Sequence, residues 1–468
     1  MSRQFIIEPQ INGDVTIGTE GDDMRVYLGH LAETGPLRKL YFGGSQEFVT
    51  LIVGKRGSGK SHTLGALIEG LATRADSTSI SDHRPQRRRA VLLLDPMGNF
   101  WTTEHLVTPD GPEKVRKQWA SLDGWGCRPE ELNAMIWLPA GFRTENDPPT
   151  VREFRIRVSD LDASDIADLI GINLVKDAQG AALAEAHGAV TEDGWMADTG
   201  RVPPRQDYGF GHLVEYLEYL RDHQAASDHP SATLRALIRS LRALERQAVF
   251  SGTGTLPTEL LAPGRLSVLM LPLRVGGDLR RVITRLLIRR ILREREQASQ
   301  IRQRLDVERL TDAERKRLEA ELDHRIPRSV VALDEAQELL GEEGGEAREA
   351  LEDFCLLGRN YGLSLIMATQ RPTASAVSSK VRSQVDLYLI HRLLTQDDIE
   401  IVWKNLLAIY PKEVRDGSRE LDFAELVRAL ERGQVIVSAS YARACEPLNR
   451  IILGKVRPRI SVHGGEVE

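Results

Sequence analysis

The stretch that most limits what this chain can fold into is 49–65, VTLIVGKRGSGKSHTLG. A strand-like run, Val49–Val53, leads into a glycine-rich loop and then into residues with helical character. Within it, Gly54-Lys55-Arg56-Gly57-Ser58-Gly59-Lys60-Ser61 satisfies G-x-x-x-x-G-K-[ST] at every fixed position. Glycines admit turns closed to other residues, so successive N–H groups can converge on phosphate oxygens. The helix that follows points its partially positive N-terminus at the same anion. Lys60 is placed to reach β- and γ-phosphates, and the Ser61 hydroxyl to join a Mg²⁺ shell. Gly54, Arg56, Gly57, Ser58, Gly59, Lys60, Ser61 and His62 are therefore the expected nucleotide-binding residues. The chemistry is that of a nucleoside triphosphate with Mg²⁺, ATP being the expected one.

The rest of the chain has to build a sheet around that loop. A wholly apolar run occurs at Ala90–Leu94, and mainly apolar ones at Leu266–Leu271, Ser329–Leu333, Leu363–Ala368 and Val385–Ile390. Such runs suit strands buried on both faces, and helical segments separate them, so an α/β fold with a mainly parallel sheet follows. Residues 1–45 hold short strand-like runs and read as a small β element, a reduced barrel with little for an independent core, with the ATPase domain occupying 46–468. Two segments interrupt that domain. One is a helical insertion over 150–262, in which Asp162 caps a helix over Ser164–Ile170 and Gly171 stops it. The other is a charged helical hairpin over 293–326, with a capping box at Thr311-Asp312-Ala313-Glu314.

In such sheets, ligands bind beyond the carboxyl ends of the strands. Val330-Val331-Ala332-Leu333-Asp334-Glu335 ends in a carboxylate suited to the Mg²⁺ shell, Asp334. Glu335 follows it, suited to orienting and activating a water. Gln370, after the run that begins at Leu363, can hydrogen-bond both that water and the γ-phosphate. Asp95, in LLLDPMGNFW, either faces the Mg²⁺ region or caps the turn at Pro96-Met97-Gly98. Arg359, at the turn Gly358–Gly362, either pairs with a surface carboxylate or, in a ring of subunits, reaches a neighbour's γ-phosphate.

Composition narrows the partners. The 468 residues carry a net charge of −6, so no global basic field attracts nucleic acid, and any DNA contact has to be local. Lys380 and Arg382, with Ser378 and Ser379, form the preferred DNA-contacting segment. Arg84 and Arg87–Arg89 are a second one, for which solvation of a strand start is the simpler account. The scattered cysteines Cys127, Cys355 and Cys445 favour neither a metal site nor a disulfide framework. No apolar run is long enough to span a bilayer, and the opening MSRQFIIEPQ is not secretory, so a cytoplasmic protein without a membrane partner is expected.

Taken together, GKRGSGKS (54–61), LLLDPMGNFW (92–101), VALDEAQEL (331–339), GRNYGLSLIMATQRP (358–372) and KVRPRISVHGG (455–465) resemble the HerA/FtsK group of ring-forming P-loop ATPases, and HerA more closely. The resemblance implies a RecA-like core, a homohexamer with nucleotide between subunits, and ATP-driven movement of double-stranded DNA. A nuclease or other effector is the implied partner, in DNA end processing or antiphage defence. It implies too that Lys60, Glu335, Gln370 and Arg359 act in catalysis, Arg359 in trans, and that Arg457 and Arg459 brace the nucleotide or the adjacent subunit. Asn99 and Phe100 stand where the family usually has Glu and Tyr. The alternative function is a regulatory ATPase scaffold that gates an effector without moving DNA.

Overall fold

The computed structural model describes the chain except residues 1–4, 9, 12, 35–37, 74–76, 84–87, 224–226, 341–344, 374–376, 444–449 and 465–468. Arg84, Arg87 and Cys445 therefore lie outside the described residues. The chain divides into two compact units. One comprises 1–136, 257–272 and 288–468, and the other 137–256 and 273–287.

The first unit is built on a long mixed sheet. Its parallel part runs, in spatial order, Leu387–Ile390, Val49–Val53, Leu363–Thr369, Ser329–Leu333, Ala90–Asp95 and Leu266–Met270. Every residue of these strands is buried, which is why they read as mainly apolar runs and not as alternating ones. The register decides where the polar strand ends fall. Thr369 pairs with Val53, Leu333 with both Met367 and Leu94, and Met270 with Asp95. Gly54, Gln370, Asp334 and Asp95 thus emerge along one edge of the sheet.

The sheet continues through antiparallel strands Gln434–Ala439, Ile452–Val456, Met24–Leu31 and Lys39–Gly43, with Val15–Gly18 parallel to the last. Met24–Leu31 hydrogen-bonds to the C-terminal strand Ile452–Val456, and Lys39–Gly43 and Val15–Gly18 join the core sheet through it. The physical reason is that short, fully buried strands such as Val15–Gly18 have too little apolar area to fold alone. A smaller sheet pairs Phe5–Glu8 with Glu413–Asp416.

In the charged segment, a helix over Gly277–Val307 is followed by one over Asp312–Asp323, whose Thr311–Glu314 capping box forms as the sequence indicates.

The second unit is mostly helical: Ala163–Ile170, Ala178–Gly188, Phe210–Asp222 and Ser231–Glu245. Asp162 caps the first of these, and Gly171 ends it in the left-handed conformation at φ 71°. Arg285, within 273–287, is buried against Asp165 and lies 3.5 Å from Asp168. No described helix is long and apolar enough to cross a membrane.

Candidate functional site

The glycine-rich loop is shaped by two left-handed glycines, Gly57 (φ 76°) and Gly59 (φ 113°), with Gly59 capping the helix Lys60–Leu71. At Gly54 the requirement is one of space. A Cβ there would lie 2.6 Å from both His391 Cβ and Ser58 Oγ. Ser58 Oγ donates to the Lys55 carbonyl at 2.8 Å, and Lys55 N–H donates to the Arg392 carbonyl at 2.9 Å, which fixes the loop at both ends. Arg56 and Gly57 stand exposed at its tip.

Across the strand edge the two nucleotide motifs meet. Ser61 Oγ is 3.1 Å from both carboxylate oxygens of Asp334. Lys60 Nζ donates to the Lys55 carbonyl at 3.2 Å and lies 3.8 Å from Glu335 Oε1. Gln370 Nε2 donates to the same Glu335 oxygen at 2.8 Å. Glu335 is the non-glycine residue with positive φ (43°) among the described residues. That conformation costs energy, and three side chains hold the carboxylate in it.

The third of them is Gln337, which the sequence analysis did not single out. Its Nε2 donates to Glu335 Oε2 at 2.8 Å, and its Oε1 accepts from Thr369 Oγ1 at 2.8 Å. Glu335 is thereby tied to the end of the Gln370 strand. The only signal in the sequence was spacing: two residues beyond a strand-end glutamate, a glutamine can turn back toward it.

Electrostatics set the character of the site. Burial raises the Asp334 carboxyl to about 7, and the neighbouring charges of Asp95 and Glu335 push the same way. Burial also lowers the Lys60 ammonium, opposed by Glu335 and Asp334. The site gathers carboxylates against one lysine, so a hard cation would relieve it. A hydroxyl and a buried carboxylate facing each other fit Mg²⁺, which is commonly held by one or two protein oxygens together with phosphate.

Asp95 resolves toward the turn. Its oxygens accept from the N–H groups of Met97 (3.2 Å), Gly98 (2.8 Å) and Phe100 (2.8 Å). Burial raises it to about 6.

Several expected residues are elsewhere. Arg457 and Arg459 are fully buried and do not face the phosphate loop. Both pair with Glu69 on the far part of the phosphate-loop helix, at 3.3 Å and 2.9 Å. Arg459 runs so close to Gly65 that a Cβ there would sit 2.6 Å from its Nε. Two guanidinium groups around one buried carboxylate are committed to it, so the expected contact with nucleotide or a neighbouring subunit is replaced by an internal one. The side chain of His62 likewise turns away, lying 2.8 Å from the Arg457 carbonyl.

The expected DNA contacts are also largely occupied. The Arg382 guanidinium donates to the Val377 carbonyl, so it shapes its own loop instead of projecting from it. Lys380 is exposed but pairs with Glu352 at 2.9 Å. Arg89 is buried and donates to Ser364 Oγ and the carbonyls of Gly44 and Gln46, each at 2.8 Å. Arg359 is exposed and paired with Asp386. It precedes the amino end of the strand Leu363–Thr369, and so lies at the sheet edge opposite the phosphate loop.

The phosphate loop, the Asp334-Glu335 strand and the Gln370 strand thus form one site, and the family described as helicase HerA, central domain, matches residues 49–291, just over half of the chain. This chain belongs to that family. As a HerA-family protein it is a P-loop ATPase. Its fold is shared with VirB4 of Thermoanaerobacter pseudethanolicus, at 15% identity and a TM-score of 0.51, over 94% of this chain and 97% of that one. The pCW3 conjugation coupling protein TcpA, solved with ATPgS, aligns over 94% of this chain and 67% of that one at 9% identity and a TM-score of 0.37. The genome packaging NTPase B204 from Sulfolobus turreted icosahedral virus 2, in complex with AMPPCP, aligns over 88% and 98% at 10% identity and 0.32. No curated protein matches this HerA-family chain.

Proposed function

We propose that this chain hydrolyses ATP to move double-stranded DNA, working as a homohexameric ring with a nuclease or another effector protein. The observation that carries the catalytic part is the convergence of Lys60, Glu335 and Gln370, with Lys60 3.8 Å and Gln370 2.8 Å from one oxygen of Glu335.

Each residue then has a defined task. The loop N–H groups of 54–61 cradle the phosphates, and Lys60 pairs with the β- and γ-phosphates. Ser61 and Asp334 would hold Mg²⁺, which supplies charge neutralisation between the β- and γ-phosphates when bound. Glu335 accepts the proton of the attacking water and aligns it in line with the leaving oxygen. Gln370, held on Glu335 until a γ-phosphate competes for its amide, reports nucleotide state along the strand Leu363–Thr369. Arg359 acts across a subunit boundary. Its place at the sheet edge opposite its own phosphate loop supports that reading, because it lies a strand length from the site its own subunit carries.

The test is ATP turnover with and without duplex DNA, together with displacement of a third strand from a triplex. Duplex-stimulated turnover with displacement is expected. Turnover that ignores duplex, with no displacement, overturns the DNA reading and leaves the ATPase standing.

A further inference from the structure

The helix Ser231–Glu245 carries a face that the ATPase chemistry does not use. Leu234, Leu237, Ile238, Leu241 and Leu244 are its buried side. Arg235, Arg239, Arg242 and Arg246 are all exposed, at spacings that place them within an arc of about 60° and over about 16 Å of helix. Arg242 is paired with Glu218 at 2.5 Å. Arg235, Arg239 and Arg246 have no carboxylate within ion-pair distance among the described residues. The one acidic residue of the helix itself, Glu245, lies about a quarter-turn from Arg246.

Arg235 and Arg239, four residues apart, repel one another modestly, and an anionic partner would relieve that repulsion. The separations along the face, one to two helical turns, match the scale on which a nucleic-acid backbone repeats its phosphates. Arginine forks suit phosphate oxygens, and the helix Ser231–Glu245 has no aromatic residue of the kind that single strands stack on. We infer that this arginine face is a phosphate-backbone contact for duplex DNA, independent of base sequence. It rests on the proposed action on duplex DNA, and assigns the contact to a segment other than the 378–382 loop.

The experiment uses the full-length protein and a 40-base-pair duplex, with affinity followed by anisotropy between about 50 and 200 mM KCl. The triple variant Arg235→Gln/Arg239→Gln/Arg246→Gln should bind more weakly. The slope of log K against log salt should become shallower by about 0.9 for each arginine that meets a phosphate. Arg235→Lys/Arg239→Lys/Arg246→Lys keeps the charges and should keep most of the slope, which separates a contact from a packing role. An unchanged slope in the glutamine variant overturns the inference while leaving duplex binding intact. Absence of duplex binding by the unaltered protein overturns the DNA reading itself, and this inference with it. Loss of binding to an acidic protein, with the duplex slope unchanged, identifies a protein-docking face and likewise overturns it.

Discussion

Gln337 Nε2 donates to Glu335 Oε2 at 2.8 Å, and the same side chain accepts from Thr369 Oγ1, so the carboxylate proposed as the base is steered from a neighbouring strand. Gln337 touches no substrate in the proposed mechanism and acts by position. Gln337→Met removes both hydrogen bonds at nearly constant volume. It should lower kcat by about 10- to 100-fold with KM for ATP unchanged, since misplacing a reacting group by about an ångström has that effect. A rise in KM with constant kcat would assign Gln337 to nucleotide binding instead.

Lys60→Ala and Glu335→Gln should fail differently. The first removes a phosphate contact and weakens ATP binding. The second keeps binding and lowers turnover by about 100-fold or more, the usual contribution of a positioned base. Nucleotide affinity measured beside turnover separates them, and a Glu335→Gln protein that hydrolyses at the normal rate would sink the assignment.

Arg359 is paired with Asp386 in its own subunit, so its proposed role in trans requires that pair to open. Neither Arg359→Ala nor Glu335→Gln should turn over alone. Mixed, they should recover part of the activity, at boundaries where an intact Arg359 meets an intact Glu335. No recovery across a range of ratios, with mixed assemblies verified, would be evidence against it.

The buried trio of Glu69, Arg457 and Arg459 makes a prediction about stability. Glu69 Oε1 also accepts from Ser461 N–H at 3.2 Å, and opposite charges outweigh burial to hold Glu69 below the usual carboxylate range. Glu69→Ala leaves two guanidinium groups buried without their carboxylate. It should cost about 3–5 kcal/mol, measured by chemical denaturation of the whole chain. A shift below about 1 kcal/mol would mean the arginines relax into solvent on their own.

His391 makes a prediction about pH. It is fully buried, 2.9 Å from Thr63 Oγ1, and burial, helped by the Lys60 charge, lowers it to about 3. In the unfolded chain it titrates near 6.5. Between those values the unfolded state holds a proton that the native state refuses, so stability is intact above about pH 6.5 and falls as pH drops toward 3. The slope attributable to this ring is about 1.4 kcal/mol per pH unit. His391→Gln should flatten the decline of melting temperature between about pH 6.5 and 5, and an identical decline in both proteins would refute it.

The strands, and the chemistry at their ends, were written in the amino-acid order. Val49–Val53, Ser329–Leu333 and the run from Leu363 are legible because strands buried on both faces are mainly apolar, without polar alternation. The glycine-rich loop is legible because its backbone admits few other residues. The Asp162 and Thr311 caps were legible for a similar local reason. The pairings between distant parts of the chain emerged with the folded structure alone. Nothing near Arg457 reveals that Glu69, 388 positions away, holds it inside, and nothing in 1–45 reveals that Met24–Leu31 pairs with Ile452–Val456. Nor does ATQRP show that Thr369 anchors Gln337, or the segment from Ser378 to Arg382 that its arginine turns back on its own loop. Local rules of spacing and capping are written within a few residues. Which distant charge meets which is settled only when burial makes an unpaired one too costly to keep.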